Sequence, residues 1–239
     1  MAVAVVTGAG SGIGRATVRA LQSEGMLVVA LDIDGEAAAE ASPHSFALDV
    51  ADADAVERTM AHVLGTWSSV DVLVNNAGIT GSADATVLDR TPVAEFDRVF
   101  AVNVRGPFLC SRAILPAMVA AGHGLVVTIA SVAGLIAFPG RCAYTASKGA
   151  ALQLARSIAV DYGPSGVRSV AVCPGMVETP MTQWRLDQPD LRAKVEARIP
   201  LGRVATPDEI ADAVALLAIG RLAYANGAPL VVDGGWSSS

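Results

Sequence analysis

The stretch VAVVTGAGSGIGRA, residues 3–16, joins an apolar run to a glycine-rich turn and the start of a helical pattern. This order predicts a strand, a tight turn and a helix. Glycines let the backbone of such a turn approach a pyrophosphate, and the N–H groups at the helix N-terminus favour its negative charge. Asp32 stands 18 positions after Gly14, at the end of the second apolar run. The stretch therefore predicts a dinucleotide-binding loop at the start of an α/β fold.

Apolar runs of strand length alternate with helical patterns along the rest of the chain. Uninterrupted runs such as VVTI (126–129) and SVAVC (169–173) are typical of parallel strands buried on both faces. Right-handed crossovers then give a doubly wound, seven-stranded parallel sheet with helices on both faces, a Rossmann-like α/β fold. The predicted strands are Val3–Thr7, Met26–Asp32, Ser45–Asp49, Val72–Asn75, Leu125–Ala130, Arg168–Cys173 and Pro229–Val232. The predicted helices are Ile13–Glu24, Asp52–Leu64, Val93–Ala120, Tyr144–Tyr162 and Pro207–Ala218.

Length and composition predict one domain over residues 1–239. A chain of this length that is 52% hydrophobic and 17% charged is long enough to bury a substantial core. The long irregular segment Gly175–Gly202 is of the kind that often forms a functional lid. We expect this lid at about residues 176–200, with short helices interrupted at Pro180, Pro189 and Pro200.

The charge and the distribution of cysteine and histidine argue against several classes of function. A formal net charge of −6 opposes nucleic-acid binding, which depends on neutralising phosphates. No apolar run reaches the roughly 18 residues of a membrane span, and the N-terminus lacks the basic leader of a signal peptide. The widely spaced Cys110, Cys142 and Cys173 predict reduced thiols in a cytoplasmic protein. The three histidines are scattered, so we expect no metal site.

Asp32 predicts NAD as the cofactor. A carboxylate at this position accepts hydrogen bonds from the adenosine ribose diol and repels a 2′-phosphate. Its neighbours Leu31 and Ile33 carry no positive charge. Arg15 is close in sequence, but we expect it to be solvated or bound to a local carboxylate.

Ser131, Tyr144 and Lys148 form the candidate catalytic group. Tyr144 and Lys148 are four residues apart on a predicted helix, so their side chains share one face, and Ser131 ends the apolar run GLVVTIAS. Lowering the pKa of a tyrosine by about 3 units requires roughly 4 kcal/mol of differential stabilisation of the anion. A nearby ammonium and a positive nicotinamide ring can supply it. The group therefore predicts proton transfer at an alcohol oxygen beside the dinucleotide.

These motifs together resemble the short-chain dehydrogenase/reductase family, in its compact single-domain form, over essentially the whole chain. The motifs are TGAGSGIG (7–14), DV (49–50), NNAG (75–78), NVRGPF (103–108), Ser131 with Tyr144 and Lys148, PGMVET (174–179) and VDGG (232–235). The resemblance implies cofactor contacts from Gly8, Ser11, Gly12, Ile13, Gly14, Asp32, Asp49, Val50, Asn76, Ala77, Gly78, Tyr144, Lys148, Pro174, Gly175, Val177 and Thr179. Within this set it implies that Asp49 and Val50 flank the adenine and that Val177 and Thr179 hold the nicotinamide amide. Asn76 and Lys148 then contact the cofactor ribose groups.

The resemblance adds Asn103 to the catalytic residues. In this family the matching asparagine anchors a water through its backbone carbonyl and links the lysine to solvent. Pro107, four positions on, cannot donate the helical N–H that the Asn103 carbonyl would otherwise accept. The alternative is an ordinary proline kink without a relay.

Two segments are expected to form the substrate wall, Ala133–Cys142 and Met176–Pro200. Ala133, Ile136, Met176 and Trp184 are the candidate substrate contacts, and they predict a mostly apolar pocket. A medium-sized apolar or cyclic secondary alcohol or its ketone fits such a pocket. Arg141 and Arg185 offer a carboxylate site, although arginines in such segments are more often at the surface.

The sequence favours an NAD-dependent secondary alcohol dehydrogenase or carbonyl reductase, with two alternatives. IPLGR (199–203) suggests a 3-oxoacyl-carrier-protein reductase, which Asp32 opposes because biosynthetic reduction usually draws on NADPH. A catalytically silent NAD-binding regulator would be expected to lack part of the Ser131, Tyr144 and Lys148 group. The resemblance also implies a homotetramer in which helices 93–120 and 144–162 pair with their symmetry mates.

Overall fold

A computed structural model describes residues 1–238 and shows one seven-stranded sheet in which every pairing is parallel. The strand order is β3-β2-β1-β4-β5-β6-β7. The strands are β1 Val3–Thr7, β2 Leu27–Asp32, β3 His44–Ala47, β4 Val72–Asn75, β5 Gly124–Ile129, β6 Val167–Pro174 and β7 Pro229–Val232. Successive strands are added on one side of β1 up to β3 and on its other side from β4 onward. The carboxyl ends of β1 and β4 therefore border a crevice. The predicted doubly wound parallel sheet is confirmed.

Helices cover both faces of this sheet. They are α1 Gly12–Ser23, α2 Gly35–Ala41, α3 Ala53–Trp67, α4 Val93–Phe100, α5 Gly106–Ala121, α6 Cys142–Tyr162, α7 Pro180–Leu186, α8 Pro189–Glu196 and α9 Pro207–Ala218. A π-helical segment, Ala101–Arg105, separates α4 from α5. Short 3₁₀ turns lie at Leu88–Arg90, Val132–Gly134, Gly163–Ser165 and Trp236–Ser238.

Three details of the structure differ from the sequence prediction. The predicted helix Val93–Ala120 is divided by the π segment, just before Pro107, which has no N–H for the regular ladder. Helix α2 was not predicted; the Asp34 side chain initiates it by accepting the N–H groups of Glu36 and Ala37. The third strand ends at Ala47 rather than Asp49, because pairing with β2 stops where β2 reaches Asp32.

The core has a large apolar layer on each side of the sheet. One layer packs α3, α5 and α6 against the sheet, and the other packs α1 and α9 against it. A smaller group, here called the lid cluster, lies beyond the carboxyl ends of the strands. It consists of Val132, Leu186, Val195, Ile199, Val204 and Trp236, with Phe138 and Met176 packed against them.

Helices α7 and α8 form the segment expected to be a lid. Each begins at a proline, Pro180 and Pro189, and proline is tolerated there because the first turn needs no N–H donor. The predicted short helices with breaks are confirmed. The two ends of this segment lie side by side, where Val177 and Ala205 form an isolated parallel bridge. Two backbone bonds hold this bridge, from Glu178 N to Ala205 O (2.9 Å) and from Ala205 N to Met176 O (2.9 Å).

A search of residues 1–238 for membrane spans finds no helix that combines the necessary length and apolar character.

Candidate active site

The glycine turn after β1 is packed too tightly for side chains. Gly8 and Gly12 adopt φ values of +62° and +49°, which favour glycine. A Cβ on Gly14 would lie 1.9 Å from the carbonyl oxygen of Gly8, so α1 packs directly against the turn. The side-chain amide of Asn76 donates to the carbonyls of Thr7 (2.9 Å) and Gly8 (3.0 Å). The turn is therefore held on one side by the start of α1 and on the other by the side chain of Asn76, which follows β4.

Asp32 lies at the end of β2 beside this turn. Its carboxylate accepts the backbone N–H of Gly10 (2.8 Å) and that of Asp34 (3.0 Å). Arg15 forms an ion pair with Glu40 (2.9 Å), which is a local carboxylate of the kind expected from the sequence. No cation is therefore paired with Asp32 among the described residues.

A cavity of about 350 Å³ runs along the carboxyl ends of the strands. Every residue of the predicted cofactor set lines it except Gly14, which instead packs against Gly8. Its lining also includes Ile33, Leu48, Ile79, Val102, Ile129, Ala130, Ser131, Pro180, Met181 and Thr182, most of which the sequence reading missed. Several of these residues are next to a predicted motif or at the end of a predicted strand. Their position in the sequence could therefore have identified them. A glycine cradle at one end and a carboxylate beside it fit a nicotinamide dinucleotide.

Ser131, Tyr144 and Lys148 converge at the other end of this cavity. Ser131 follows β5, and its hydroxyl accepts the backbone N–H of Ala133 (3.0 Å). The Ser131 hydroxyl also lies close enough to the Tyr144 hydroxyl to lower its pKa, and both residues line this end of the cavity. The Lys148 ammonium donates to the carbonyl of Ile129 (2.8 Å) and lies 5.8 Å from the centre of the Tyr144 ring. The fold therefore brings the three predicted groups together.

Burial dominates the acid–base character of the two titratable groups. It raises the pKa of Tyr144 above 10.0, and the hydrogen bond from Ser131 opposes that rise. Burial lowers the pKa of Lys148 from 10.5 to about 8, with a smaller opposing effect of Cys173. Burial thus shifts both groups towards their neutral forms, but with a pKa of about 8 Lys148 still carries its charge at pH 7. The lowered tyrosine pKa expected from the sequence depends on the positive charge of a bound nicotinamide ring, and it stays a prediction.

Asn103 lies in the π segment and its side chain is fully used. The carboxamide oxygen accepts the N–H of Ile79 (2.8 Å), and the amide group donates to the Ile79 carbonyl (2.8 Å). The same amide donates to the hydroxyl of Ser147 (2.9 Å). π segments are frequent at functional sites, and this one turns Asn103 inward. The role of its backbone carbonyl in a water relay stays a prediction.

The four predicted substrate contacts do not line the cavity. Ala133 is buried behind Ser131, Ile136 is half-buried, and Met176 packs on the lid cluster. Trp184 is 55% exposed on α7. The lid instead contributes Met181 and Thr182 to the cavity, so Met181 joins the candidate substrate contacts. The roles of the original four stay predictions.

The thiols of Cys110, Cys142 and Cys173 are free; two are buried in the core, whereas Cys142 is half-buried at the start of α6. No group of three histidine, cysteine, aspartate or glutamate residues arranged for a metal ion occurs among residues 1–238.

The model of a protein family described as enoyl-(acyl carrier protein) reductase matches residues 8–237. A relative from Xanthobacter autotrophicus, 2-(R)-hydroxypropyl-CoM dehydrogenase, is 53% identical, and the match covers 99% of this chain and 98% of the relative. The chain belongs to the short-chain dehydrogenase/reductase family. As a member it is an oxidoreductase that uses a nicotinamide cofactor.

Solved structures of this family superpose on nearly the whole chain. A 3-ketoacyl-(acyl-carrier-protein) reductase from Brucella melitensis complexed with NADH has a TM-score of 0.91 and 31% identity, covering 99% of this chain and 98% of that one. A dehydrogenase structure from Beutenbergia cavernae with bound NADP has a TM-score of 0.92 and 36% identity, covering 100% of this chain and 97% of that one. The two structures contain different nicotinamide cofactors.

Proposed function

We propose that this short-chain dehydrogenase/reductase transfers a hydride between NAD(H) and a secondary alcohol or its ketone. The observation that carries the proposal is the convergence of Ser131, Tyr144 and Lys148 at one end of a cavity whose other end is a glycine cradle. This convergence supports a proton-transfer group beside the cofactor site.

Each of the three side chains has a distinct role. The Tyr144 oxygen takes the alcohol proton during oxidation and returns it during reduction. The Ser131 hydroxyl, which lines the same end of the cavity, hydrogen-bonds the substrate oxygen and stabilises its developing charge. The Lys148 ammonium favours the anionic form of Tyr144. When bound, the nicotinamide supplies the hydride acceptor or donor.

Asp32 supports NAD rather than NADP. Its carboxylate points along the glycine turn, where it accepts the N–H of Gly10. A 2′-phosphate there would meet this negative charge, while Arg15 is engaged with Glu40. A ribose diol would donate hydrogen bonds to the same carboxylate.

The relative from Xanthobacter autotrophicus suggests a more specific substrate class. A 2-hydroxypropyl group is a secondary alcohol, and coenzyme M carries a sulfonate. Arg141, half-buried at the start of α6, is three residues from Tyr144, and Arg185 is on α7 of the lid. Neither forms an ion pair among the described residues. We infer a small secondary alcohol with a distal anionic group.

Initial rates with paired substrates test this function. We expect 2-hydroxypropyl-CoM to reduce NAD with a kcat/KM well above that of 2-butanol, which has the same carbinol but no anion. NADP should support much slower turnover with either alcohol. Alcohol-dependent reduction of neither cofactor would refute the proposal, and equal kcat/KM values for the two alcohols would refute the anionic class alone.

A 3-oxoacyl-carrier-protein reductase remains the second candidate. The likeness to the Brucella melitensis reductase favours it. An acetoacetyl thioester with NADH or NADPH tests it directly: this candidate predicts ketone reduction with a kcat/KM above that for 2-hydroxypropyl-CoM. The net charge of −6 argues against it, because an acyl carrier protein is acidic.

The homotetramer and the cytoplasmic location remain part of the proposal. A groove between α3, α5 and α6 exposes apolar side chains, and Phe108 lies in it. Val160, also on α6, is 74% exposed. Apolar surface of this kind supports pairing with a second copy. A monomer mass at micromolar concentration would contradict the tetramer, and the free cysteines fit a reducing compartment.

A further inference from the structure

Ser147 lies between two catalytic residues of α6 yet reaches neither the cavity nor solvent. It precedes Lys148, follows Tyr144 by three positions, and has no exposed surface. Its hydroxyl accepts a hydrogen bond from the Asn103 amide (2.9 Å) and donates one to the backbone carbonyl of Tyr144 (2.7 Å). A buried hydroxyl with both bonds made is a fixed link between those two partners.

The link continues from Asn103 to the wall of the cofactor cavity. The Asn103 carboxamide binds both the N–H and the C=O of Ile79, the residue that follows NNAG (75–78). A Cβ on Gly78 would lie 3.3 Å from the Asn103 amide oxygen and 3.4 Å from the Lys148 ammonium. This loop therefore lies directly against the ammonium group, and Asn103 and Ser147 tie it to the helix that carries Tyr144.

We propose that Ser147 is a positioning residue for proton transfer, whose hydroxyl fixes the first turn of α6 to Asn103 and so sets Tyr144 and Lys148 relative to the NNAG loop. The inference rests on the proposed function and concerns how precisely its proton-transfer group is held. Misplacement by about 1 Å can reduce turnover as much as 100-fold, even when substrate still binds.

Loss of the Ser147 hydroxyl is expected to shift the pH dependence of kcat in one direction. In Ser147→Ala one buried hydrogen of the Asn103 amide loses its acceptor, and the Tyr144 carbonyl loses a donor. The first turn of α6 is then free to shift, which weakens the effect of the Lys148 charge on Tyr144. A weaker opposite charge raises the pKa of the phenol, so the rise of kcat with pH moves to higher pH.

The test compares Ser147→Ala with Ser23→Ala under the alcohol oxidation assay. Ser23 is a matched control, because its hydroxyl also donates to a carbonyl on its own helix (Arg19, 2.9 Å) but is exposed and remote from the cavity. For Ser147→Ala we expect kcat to fall about 10-fold and the kcat–pH profile to move up by about half a unit or more. KM and the NAD dissociation constant should change less than about twofold. Ser23→Ala should behave as wild type.

A double-mutant cycle with Asn103→Ala separates positioning from simple loss of stability. If Ser147 acts through Asn103, the double variant has the same kcat as Asn103→Ala alone. Additive losses, or a lower active fraction with an unchanged pH profile, would overturn the inference. Should Ser147→Ala not fold, Ser147→Cys carries the test with a weaker donor, and an unchanged pH profile there overturns it. No turnover in wild type would refute the proposed function instead.

Discussion

The nucleotide end and the lid end of this molecule are built from different kinds of contact. At the nucleotide end, glycines allow close contact between backbone segments, and the side-chain amide of Asn76 donates to two backbone carbonyls. At the lid end, the apolar side chains of the lid cluster pack around Trp236, whose ring lies 5.1 Å from that of Phe138. A short backbone bridge between Val177 and Ala205 joins the two ends of the lid. The nucleotide end therefore tolerates almost no change of shape, whereas the lid end is defined by which side chains it carries.

The largest expected effect lies where the two ends meet. Tyr144→Phe removes one hydroxyl and little volume, so the fold and both binding steps should survive while turnover falls by about 10²–10⁴-fold. Steady-state kinetics together with NAD titration measure this. A variant that keeps more than about a tenth of the wild-type rate would exclude Tyr144 as the acid/base group.

The second prediction concerns the tightness of the nucleotide end. Gly14→Ala should lower both thermal stability and NAD affinity, the latter by more than about tenfold, because its Cβ would overlap the Gly8 carbonyl at 1.9 Å. Gly65→Ala is the control, since a Cβ there meets nothing within 4 Å and α3 should gain about 0.5–1 kcal/mol. Calorimetry and NAD titration of both variants give the answer. Equal thermal stability and equal NAD affinity in the two variants would show that the glycine turn can shift to accept a side chain.

A third prediction uses the cost of burying Lys148. Because its pKa is about 8 instead of 10.5, the native chain disfavours the charged form, and unfolding takes up a proton between these pH values. Wild-type stability without cofactor should therefore rise from pH 8 towards 10.5. Lys148→Met should raise Tm by a few degrees at pH 7 while abolishing turnover, and this gain should shrink as the pH approaches 10.5. A lower Tm at neutral pH would contradict the prediction.

Asp32→Ala should reduce the preference for NAD by about tenfold, since both the ribose contacts and the repulsion of a 2′-phosphate are lost. The kcat/KM values for NAD and NADP measure the change. Faster wild-type turnover with NADP at equal concentrations would show that the carboxylate does not choose the cofactor.

The smallest effect is expected at the lid. Trp184→Ala should raise KM for the alcohol only a few-fold and leave NAD affinity nearly unchanged, because Trp184 is 55% exposed outside the cavity lining. Met181→Ala is the paired variant, and it should raise KM more because Met181 lines the cavity. If Trp184→Ala changed NAD affinity as much as KM, the lid and nucleotide ends would be coupled.

The same contrast explains what the sequence predicts well. A positive φ favours glycine and a close backbone contact leaves no room for a side chain, so TGAGSGIG specifies its own geometry, and nearly every predicted cofactor residue lines the cavity. A lid side chain is placed by distant packing: Met176 joins Trp236 in the lid cluster, and no local pattern encodes that contact. The division of helix 93–120 had a local signal in Pro107, but proline alone does not distinguish a kink from a π segment. Ser147 gave no signal because its partner, Asn103, is 44 positions away.

The bridge between Val177 and Ala205 makes the lid a separable segment. Both ends of residues 178–204 meet at this pair. A segment exchanged from another protein would have to preserve these two backbone hydrogen bonds, the bond from Leu201 N to Gly234 O (3.2 Å), the apolar residues beneath it and Thr179, which lines the cofactor cavity. The glycine cradle lies outside the exchanged piece and need not change. New substrates can then be acquired by recombination or insertion in one stretch of gene, while the machinery for hydride and proton transfer is inherited intact.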